Sequence, residues 1–311
     1  MPDISELNGT AIDNVGEFDG LTVTDKVPVP AAAYSVRLLD TAVGVPTYTG
    51  ACMRVRRDTA GGVGDNTEAD VAFDSGVISL DSAVSNFSAT SNATNLGQFL
   101  NATGYTNADS LTVVADGFTV EWKDQSGNGN DATQATYGSQ PQIFDKTSAT
   151  DLITENGKPA IKPTSGSQMF DFSVAASLAG VTFFSVVRII SGTTSAVFVN
   201  GPTSGYYIAA AADGSTSTII DQQSGNVSYR IDEAAVTPAD RNALHDALAT
   251  GNHLLSIYTD RTLAFTNYIG YDNVGVYMYQ MQEMVTYLSD EFTGGDLSGI
   301  ETDISTYFST P

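Results

Sequence analysis

The chain has 311 residues, of which 41% are hydrophobic and 16% charged, and its 13 basic and 36 acidic residues give a net charge of −23. Binding to nucleic acid or to an anionic membrane requires Lys and Arg to neutralise phosphates, so this balance argues against both partners. Cys52 is the single cysteine, which excludes an intrachain disulfide and a thiolate metal site. We expect it to be a small buried apolar residue.

The first 27 residues contain a short repeat. One copy reads ELNGTAI from Glu6, and the second reads EFDGLTV from Glu17. An Asn-Gly or Asp-Gly pair between apolar residues is typical of a tight β-hairpin, and two such copies are too short to bury a core. We therefore expect residues 1–27 to form an extended arm that docks on other proteins or on the main domain. Residues 28–311 are predicted to form one domain.

Short strands separated by turns are predicted along most of this domain. In its first half they lie at 52–57, 111–114, 118–122, 141–143 and 159–161. In its second half they lie at 181–190, 195–199, 206–211, 217–220, 227–231, 253–259, 263–269, 274–279 and 282–287. Turn pairs such as Asn200-Gly201 and Asp213-Gly214 recur between them. This spacing is typical of an all-β sandwich or jelly roll.

Helices are predicted at three places. Apolar residues at helical spacing within 79–104 indicate one or two short helices. A helix over 238–248 is expected to begin with Thr237 as its N-cap and Pro238 in its first turn. Residues 297–308 carry one apolar stripe and are predicted to form the last helix.

The common catalytic signatures are missing from the sequence. It contains no G-x-S-x-G, H-E-x-x-H, P-loop or G-x-G-x-x-G motif. The two histidines, His245 and His253, lack the carboxylate pattern of a zinc site.

A basic cluster stands out against the low cation content. Arg54, Arg56 and Arg57 lie on one predicted strand, and four acids follow them at 65, 68, 70 and 74. Two interpretations are open: an internal network of ion pairs, or a clamp for a carboxylated or hydroxylated ligand.

The late strands bring acids and aromatic residues together. Asp272 and Glu283 are surrounded in sequence by tyrosines at 268, 271, 277, 279 and 287. Glycoside hydrolysis needs two carboxylates across a sugar pocket, and exposed tyrosine rings can stack on sugars. The alternative is that the tyrosines are strand formers of the core and its rim.

The stretch EWKDQSGNGNDATQ is the most distinctive turn. Trp122 is expected between two sheets, Asp124 and Ser126 are expected to accept backbone N–H groups, and Gly127 and Gly129 are expected at positive φ. Two alternatives are contact with a sugar and a calcium ion, for which oxygen ligands are plentiful. The candidate calcium ligands are Asp124, Asn128, Asn130 and Asp131.

Several stretches follow, in order, the pattern of one known family. They are AAAYSVRLL, ACMRVRRD with DNTEADVAF, WKDQSGNGNDATQATYGSQPQI, NGKPAI, TFFSVVRI, and NYIGYDNV with QEMVTYLSDEF and IETDISTYF. Over about residues 31–310 the chain resembles the concanavalin A-like (LamG or lectin-like) sandwich of many phage structural proteins. Its first half resembles the catalytic domain of fungal alpha-L-arabinofuranosidase B. The repeat in residues 1–27 resembles the arms of phage virion proteins.

This resemblance implies the fold and argues against hydrolase activity. The enzyme family uses an Asp acid/base within Gly-Gly-Asp-Asn, partly matched here by GYDN, which makes Asp272 the candidate acid. The segment that matches the family's Glu nucleophile is GYYIA, starting at Gly205, and it contains no carboxylate. A retaining mechanism requires that nucleophile. The candidate ligand-binding residues are Arg56, Tyr206, Tyr271, Asp272 and Asn273.

Three functions follow as hypotheses. The first is an accessory virion protein on a phage capsid or tail, lectin-like, which contacts glycans and does not hydrolyse them. The second is an arabinofuranosidase-like glycoside hydrolase, and the third is a purely structural capsid cement protein. Since no signal peptide is recognised, we expect synthesis in the host cytoplasm and assembly onto the particle surface, as a homo-oligomer or in several copies. No cofactor is expected, apart from the calcium considered above.

Overall fold

The computed structural model describes residues 6–7, 10–11, 17–18, 21–22, 27–58, 65–164, 170–190, 195–200, 207–211, 227–269, 279–288 and 294–311. Their side chains are described at 27–58, 65–164, 170, 181–190, 210, 227–258, 279–288 and 297–311.

Strands dominate this part of the chain. Numbered β1 to β20 in chain order, they are Glu6–Leu7, Thr10–Ala11, Glu17–Phe18, Leu21–Thr22, Ala32–Ser35, Met53–Arg57, Glu68–Val71, Val84–Ser85, Gly117–Trp122, Ala132–Thr133, Gln142–Phe144, Thr154–Glu155, Lys158–Pro159, Phe170–Ile189, Ser195–Asn200, Tyr207–Ala211, Val227–Ile231, Ala234–Val236, His253–Ile269 and Tyr279–Tyr287. The helices α1 to α3 are Leu96–Leu100, Arg241–Leu248 and Gly294–Phe308.

Fourteen of these strands are hydrogen-bonded into one antiparallel sheet that folds into two layers. One layer runs β8-β7-β6-β9, with β11 also paired to β9. The other runs β5-β20-β14-β19-β17-β18. Strand β10 pairs with both β9 and β14 and so joins the layers. The predicted all-β sandwich with a few short helices is confirmed.

The core lies between the layers. Trp122 of β9 is fully buried, and its ring centre lies 5.8 Å from that of Tyr34 in β5 and 6.1 Å from that of Phe170 in β14. The predicted position of Trp122 between two sheets is therefore confirmed. Cys52 is also fully buried, as expected, and burial raises the pKa of its thiol.

The three helices are partly as predicted. Helix α2 begins at Arg241 and its N-cap is Asp240, whose Oδ1 accepts the N–H of Ala243 at 2.9 Å, so the prediction of Thr237 as the cap is wrong. Helix α3 covers the predicted last helix and starts earlier, at Gly294. No helix in the described ranges is both long and apolar enough to span a membrane.

Two strand assignments need correction. The stretch 253–269 is one strand and not two, because it pairs along nearly its whole length with the long strand β14. Residues 111–114 form no strand: the side chain of Asn107 accepts the N–H of Leu111 and donates to its carbonyl oxygen, which closes a local loop.

The predicted hairpins of the N-terminal repeat are present as two isolated strand pairs. Strand β1 pairs with β2, and β3 pairs with β4. Docking of this arm stays a prediction.

Candidate functional site: a cavity on the outer face

The basic cluster on β6 is largely an internal ion-pair network. Arg54 pairs with Glu68 at 2.9 Å and with Asp70 at 2.7 Å. Arg57 is buried and pairs with Asp65 at 2.9 Å and Asp109 at 2.6 Å. Burial opposes the charge of Arg57, and the two carboxylates raise its pKa overall. This interpretation, one of the two that the sequence left open, is confirmed for these two arginines.

Arg56 is held differently. Its Nε donates to Gln140 at 2.6 Å and its Nη1 to Asn66 at 2.8 Å, and its guanidinium carbon lies 4.8 Å from the ring centre of Phe118 and 4.6 Å from that of Tyr137. The residue is 4% exposed, and burial lowers its pKa. A ligand would have to move the half-exposed ring of Tyr137 to reach it, so its ligand-binding role stays a prediction.

The distinctive turn is closed by its own hydrogen bonds. Oδ1 of Asp124 accepts the N–H groups of Ala33 and Ser126, each at 2.9 Å. Oδ2 accepts the hydroxyl of Ser126 at 2.8 Å and the N–H of Asn130 at 3.0 Å. The backbone φ is +86° at Gly127 and +74° at Gly129, as predicted. Every accepting direction of the buried Asp124 carboxylate is thus used within the protein.

The other candidate calcium ligands are also engaged. Asn128 and Asn130 donate their amides to the carbonyl oxygen of Ala31. Asp131 accepts the N–H of Asp124 at 2.8 Å and pairs with Lys123 at 3.0 Å. No group of three or more His, Cys, Asp or Glu residues able to hold a metal occurs in the described part of the chain. Calcium binding at this turn stays a prediction.

Four of the predicted site residues cannot be placed. Tyr206, Tyr271, Asp272 and Asn273 lie outside the described residues.

Glu283, the acid singled out together with Asp272, is fully buried. It accepts the hydroxyl of Ser35 at 2.7 Å and Nε of Arg37 at 2.9 Å. Arg37 also pairs with Asp303 of α3 at 2.6 Å, and although burial opposes its charge, the two carboxylates raise its pKa. Glu283 therefore works as a structural anchor that fixes α3 to the sheet.

A cavity of about 240 Å³ lies against the layer that contains β14, β19 and β17, on the side covered by α3. We call this side the outer face. Its lining residues are Thr182, Ser228, Tyr229, Arg230, Ala235, Ser256, Ile257, Tyr258 and Leu297. None of them was predicted as a site residue from the sequence. We refer to this site as the outer-face cavity.

Strand register explains how the cavity is built. Ser228, Tyr258 and Thr182 are directly opposite one another on β17, β19 and β14. Two residues further along, Arg230 is opposite Ser256. Because side chains alternate between the two faces of a sheet, all five project to the same side. Ser228 forms part of the exposed rim, whereas Thr182 and Ser256 form a buried floor.

The floor carries unmet hydrogen-bonding capacity. Ser256 is 3% exposed, and its hydroxyl has no hydrogen-bond partner among the described residues. A buried hydroxyl without a partner costs about 1–3 kcal/mol. The oxygen of Ser256 is out of reach of a water-sized molecule, so it lies beneath the cavity and is not presented to it.

The charge of Arg230 is already neutralised. Its Nε lies 2.9 Å and 2.8 Å from the two carboxylate oxygens of Glu301, which is fully buried in α3. Its Nη2 donates to the carbonyl oxygen of Glu233 in the β17–β18 turn. The ion pair therefore fastens β17 to α3 and forms one wall of the cavity.

The neighbouring turn is tied to β19. Asp232 and Glu233 both have positive φ, +49° and +64°. Oδ2 of Asp232 lies 2.6 Å from Nδ1 of His253, and Nε2 of His253 lies 3.1 Å from the carbonyl oxygen of Thr250. The hydrogen bond to Asp232 raises the pKa of His253. These contacts hold the hairpin that carries Arg230 and Ala235.

Chemically, the outer-face cavity can bind but has no means of acid–base hydrolysis. It offers the exposed hydroxyl of Ser228 at its rim and the tyrosine Tyr258. Its lining residues are all among the described ones, and none is a carboxylate that could act as nucleophile, acid or base.

No protein-family model matches this sequence, and no curated protein matches it. Three solved structures are similar in fold: a GH54 a-l-arabinofuranosidase soaked with a cyclic sulfate inhibitor, an arabinofuranosidase complexed with arabinofuranosyl-alpha-1,2-xylobiose, and a mutant GH54 enzyme soaked with 4-nitrophenyl a-l-arabinofuranoside. Identities are 12%, 12% and 13%, and TM-scores are 0.42, 0.42 and 0.43. Each alignment covers 88% of this chain and 62% of the enzyme chain, so this chain matches less than two thirds of their length.

Proposed function

We propose that this chain is an accessory surface protein of a phage particle that binds carbohydrate and does not hydrolyse it. The outer-face cavity carries the binding part of the proposal. It combines the tyrosine Tyr258 with the exposed hydroxyl of Ser228 and with Arg230 at its wall. Small-ligand sites typically pair an apolar or aromatic lining with a few polar groups that fix orientation.

The absence of hydrolysis rests on the cavity lining. Both mechanisms of glycoside hydrolysis require two carboxylates around the scissile bond, and the lining supplies none. Glu301 lies behind Arg230, fully buried and held by both of its oxygens, and is therefore out of reach of a bound sugar.

Placement on a virion rests on the sequence. The repeat in residues 1–27 resembles the arms of phage virion proteins, and the domain sequence resembles their concanavalin A-like sandwiches. A net charge of −23 with low overall charge content keeps many crowded copies soluble and mutually repelling.

Carbohydrate binding is tested with two variants of adjacent exposed residues on β18. Ala235 lines the cavity, and its neighbour Ala234 projects to the opposite side of the strand. Ala235→Trp is expected to abolish binding on a glycan array, whereas Ala234→Trp is expected to bind as the wild type does. A wild-type protein that binds no glycan, while its deletion weakens the capsid, would replace this proposal by a purely structural cement role.

Hydrolysis is tested with an aryl arabinoside. We expect no turnover above the buffer rate. Turnover that is lost in Asp272→Asn would overturn the proposal in favour of the arabinofuranosidase-like hydrolase.

The virion placement is tested by deleting residues 1–27. The truncated protein is expected to keep its glycan binding and to be missing from purified particles. Undiminished incorporation of the truncated protein would contradict a docking role for the arm.

A further inference from the structure

We infer that the outer-face cavity takes the carboxylate of one acidic sugar unit, a uronic acid, and binds it through Nη1 of Arg230. This inference rests on the proposed carbohydrate binding and adds to it the charge of the ligand and the residue that recognises it.

Arg230 leaves one terminal nitrogen unused. Its Nε lies 2.9 Å and 2.8 Å from the two carboxylate oxygens of Glu301, and its Nη2 donates to the carbonyl oxygen of Glu233. Nη1 has no hydrogen bond to a described residue, and it is not one of the buried polar atoms of the described chain that lack a partner, so solvent reaches it. The side chain is 30% exposed and lines the cavity. Its wall therefore offers two N–H donors of a charged group.

The other paired arginines show what such a nitrogen holds in this protein. Arg37, Arg54 and Arg57 each bind one carboxylate through Nε and a second, separate carboxylate through a terminal nitrogen. The carboxylates raise the pKa of all three arginines although burial opposes their charge, so one guanidinium holds two anions favourably here. Arg230 has only the first half of this arrangement among the described residues, at Glu301. A ligand carboxylate at Nη1 would complete it.

The groups beside Arg230 suit the rest of a sugar. Ser228 lies two residues before Arg230 on the same face of β17, and Tyr258 lies directly opposite Ser228 on β19. The exposed hydroxyl of Ser228 can bond to a sugar hydroxyl, and the half-buried ring of Tyr258 offers an apolar surface. No lining residue is a carboxylate, so the wall itself does not repel an acid.

The size of the cavity sets the size of the ligand. Its volume of about 240 Å³ is just below the range of about 300–1,000 Å³ typical of pockets for drug-sized ligands, which leaves room for one sugar unit. The net charge of −23 repels anions at a distance, but at about 0.15 M salt charges more than about 8 Å away are largely screened. The contact at Arg230 therefore decides the preference.

The experiment uses titration calorimetry at about 0.15 M salt with two matched pairs of probes. They are the methyl glucuronide with the methyl glucoside, and the methyl galacturonide with the methyl galactoside, so the members of a pair differ only in whether C6 is a carboxylate.

The variants are chosen to keep the fold. Replacing Arg230 alone would leave the fully buried Glu301 without its cation, which is strongly destabilising. The double variant Arg230→Gln/Glu301→Gln replaces the ion pair by two amides and keeps the net charge. Arg188→Gln is the control, because Arg188 also pairs with a single carboxylate, Glu155, and does not line the cavity. Thermal melting of each variant verifies that it is folded.

We expect the wild type to bind at least one uronide about tenfold or more tightly than its neutral counterpart, as for a charge-assisted hydrogen bond. The double variant should bind the two members of the pair equally. Arg188→Gln should keep the wild-type affinity and preference. Glu301→Gln should bind the uronide at least about threefold more tightly than the wild type does, because the ligand then no longer shares the guanidinium with a second anion.

Three results would overturn the inference, and they are distinguishable. Equal or tighter binding of the neutral glycosides by the wild type would show that the ligand is not acidic, with carbohydrate binding still standing. A preference for the uronide that the double variant retains would remove Arg230 as the recognising residue. If the wild type binds neither these glycosides nor any arrayed glycan, the proposed function itself fails and this inference fails with it.

Discussion

The turn around Asp124 and the outer-face cavity are both rich in polar side chains, but they differ in how many of their hydrogen bonds the protein itself supplies. At the turn, both oxygens of Asp124 are used twice. Beneath the cavity, the buried hydroxyl of Ser256 has no partner in the part of the chain that the structure describes. The difference indicates that a dense, distinctive polar motif marks structure when its hydrogen bonds are closed within the protein.

The largest expected effect on stability concerns a second closed cluster, the buried ion pair of Arg37 and Glu283. Arg37→Met leaves the fully buried Glu283 without its cation, and removing one partner of a buried pair costs about 3–5 kcal/mol. The free energy of unfolding, measured by urea titration, should fall by that amount. The double variant Arg37→Met/Glu283→Met should recover a large part of it, and a loss below about 1 kcal/mol in the single variant would contradict a closed structural cluster.

The next effect tests the turn directly. Asp124→Ala removes the acceptor for four donors, and we expect it to lower the free energy of unfolding by about 3 kcal/mol. Asp40→Ala is the control, because this exposed residue accepts a single backbone N–H, from Ala42, and should cost only about 1 kcal/mol.

Adding calcium decides between the two interpretations of the same turn. If the turn is fully satisfied by the protein, millimolar calcium should leave the urea midpoint unchanged. A midpoint that rises with calcium, and does so only while Asp124 is present, would establish the predicted calcium site instead.

Two buried serines sharpen the comparison further. The hydroxyl of Ser126 donates to Asp124 and accepts the N–H of Asn128, so Ser126→Ala should cost about 1–2 kcal/mol. Ser256→Ala removes a hydroxyl without a partner and should leave the free energy of unfolding unchanged or slightly raised. Equal losses in the two variants would show that the distinction between closed and open clusters is wrong.

The smallest effect concerns His253 beside the cavity. The hydrogen bond to Asp232 raises its folded-state pKa above the value of about 6.5 expected for the unfolded chain. Its contribution to stability is therefore fully present below about pH 6.5 and is lost as the pH rises through the folded-state pKa. Urea titrations from about pH 5.5 to about pH 8.5 should show a larger decline for the wild type than for His253→Gln. Identical slopes would contradict the role of this pair.

The sequence predicted the sandwich because alternating apolar residues and regular turns are local signals. Strand β6 and helix α3 were recognised for this reason. The failures came where tertiary contacts override local preference. Val84 and Ser85 lie in a stretch with helical spacing, yet they pair as a strand with the edge of β7.

The candidate site was harder to predict, because strand register assembles it. Ser228, Ser256 and Thr182 are far apart in sequence and come together only through the pairing of β17, β19 and β14. One signal was available: Ser256 interrupts the apolar run LLSIY, and a polar residue there suggests a special environment. The residues that lie opposite Ser256 on the neighbouring strands could not be identified without the strand register.

The turn around Asp124 also has a consequence for assembly. Strand β5 is hydrogen-bonded to β20 along one edge, and the turn occupies its other edge. There the N–H of Ala33 donates to Asp124, and its carbonyl oxygen accepts the N–H of Gln125. The carbonyl oxygen of Ser35 accepts from the side chains of Gln125 and Trp122. An uncovered edge strand is a template for adding strands from other molecules. The turn thus shields this edge of β5 against edge-to-edge polymerisation.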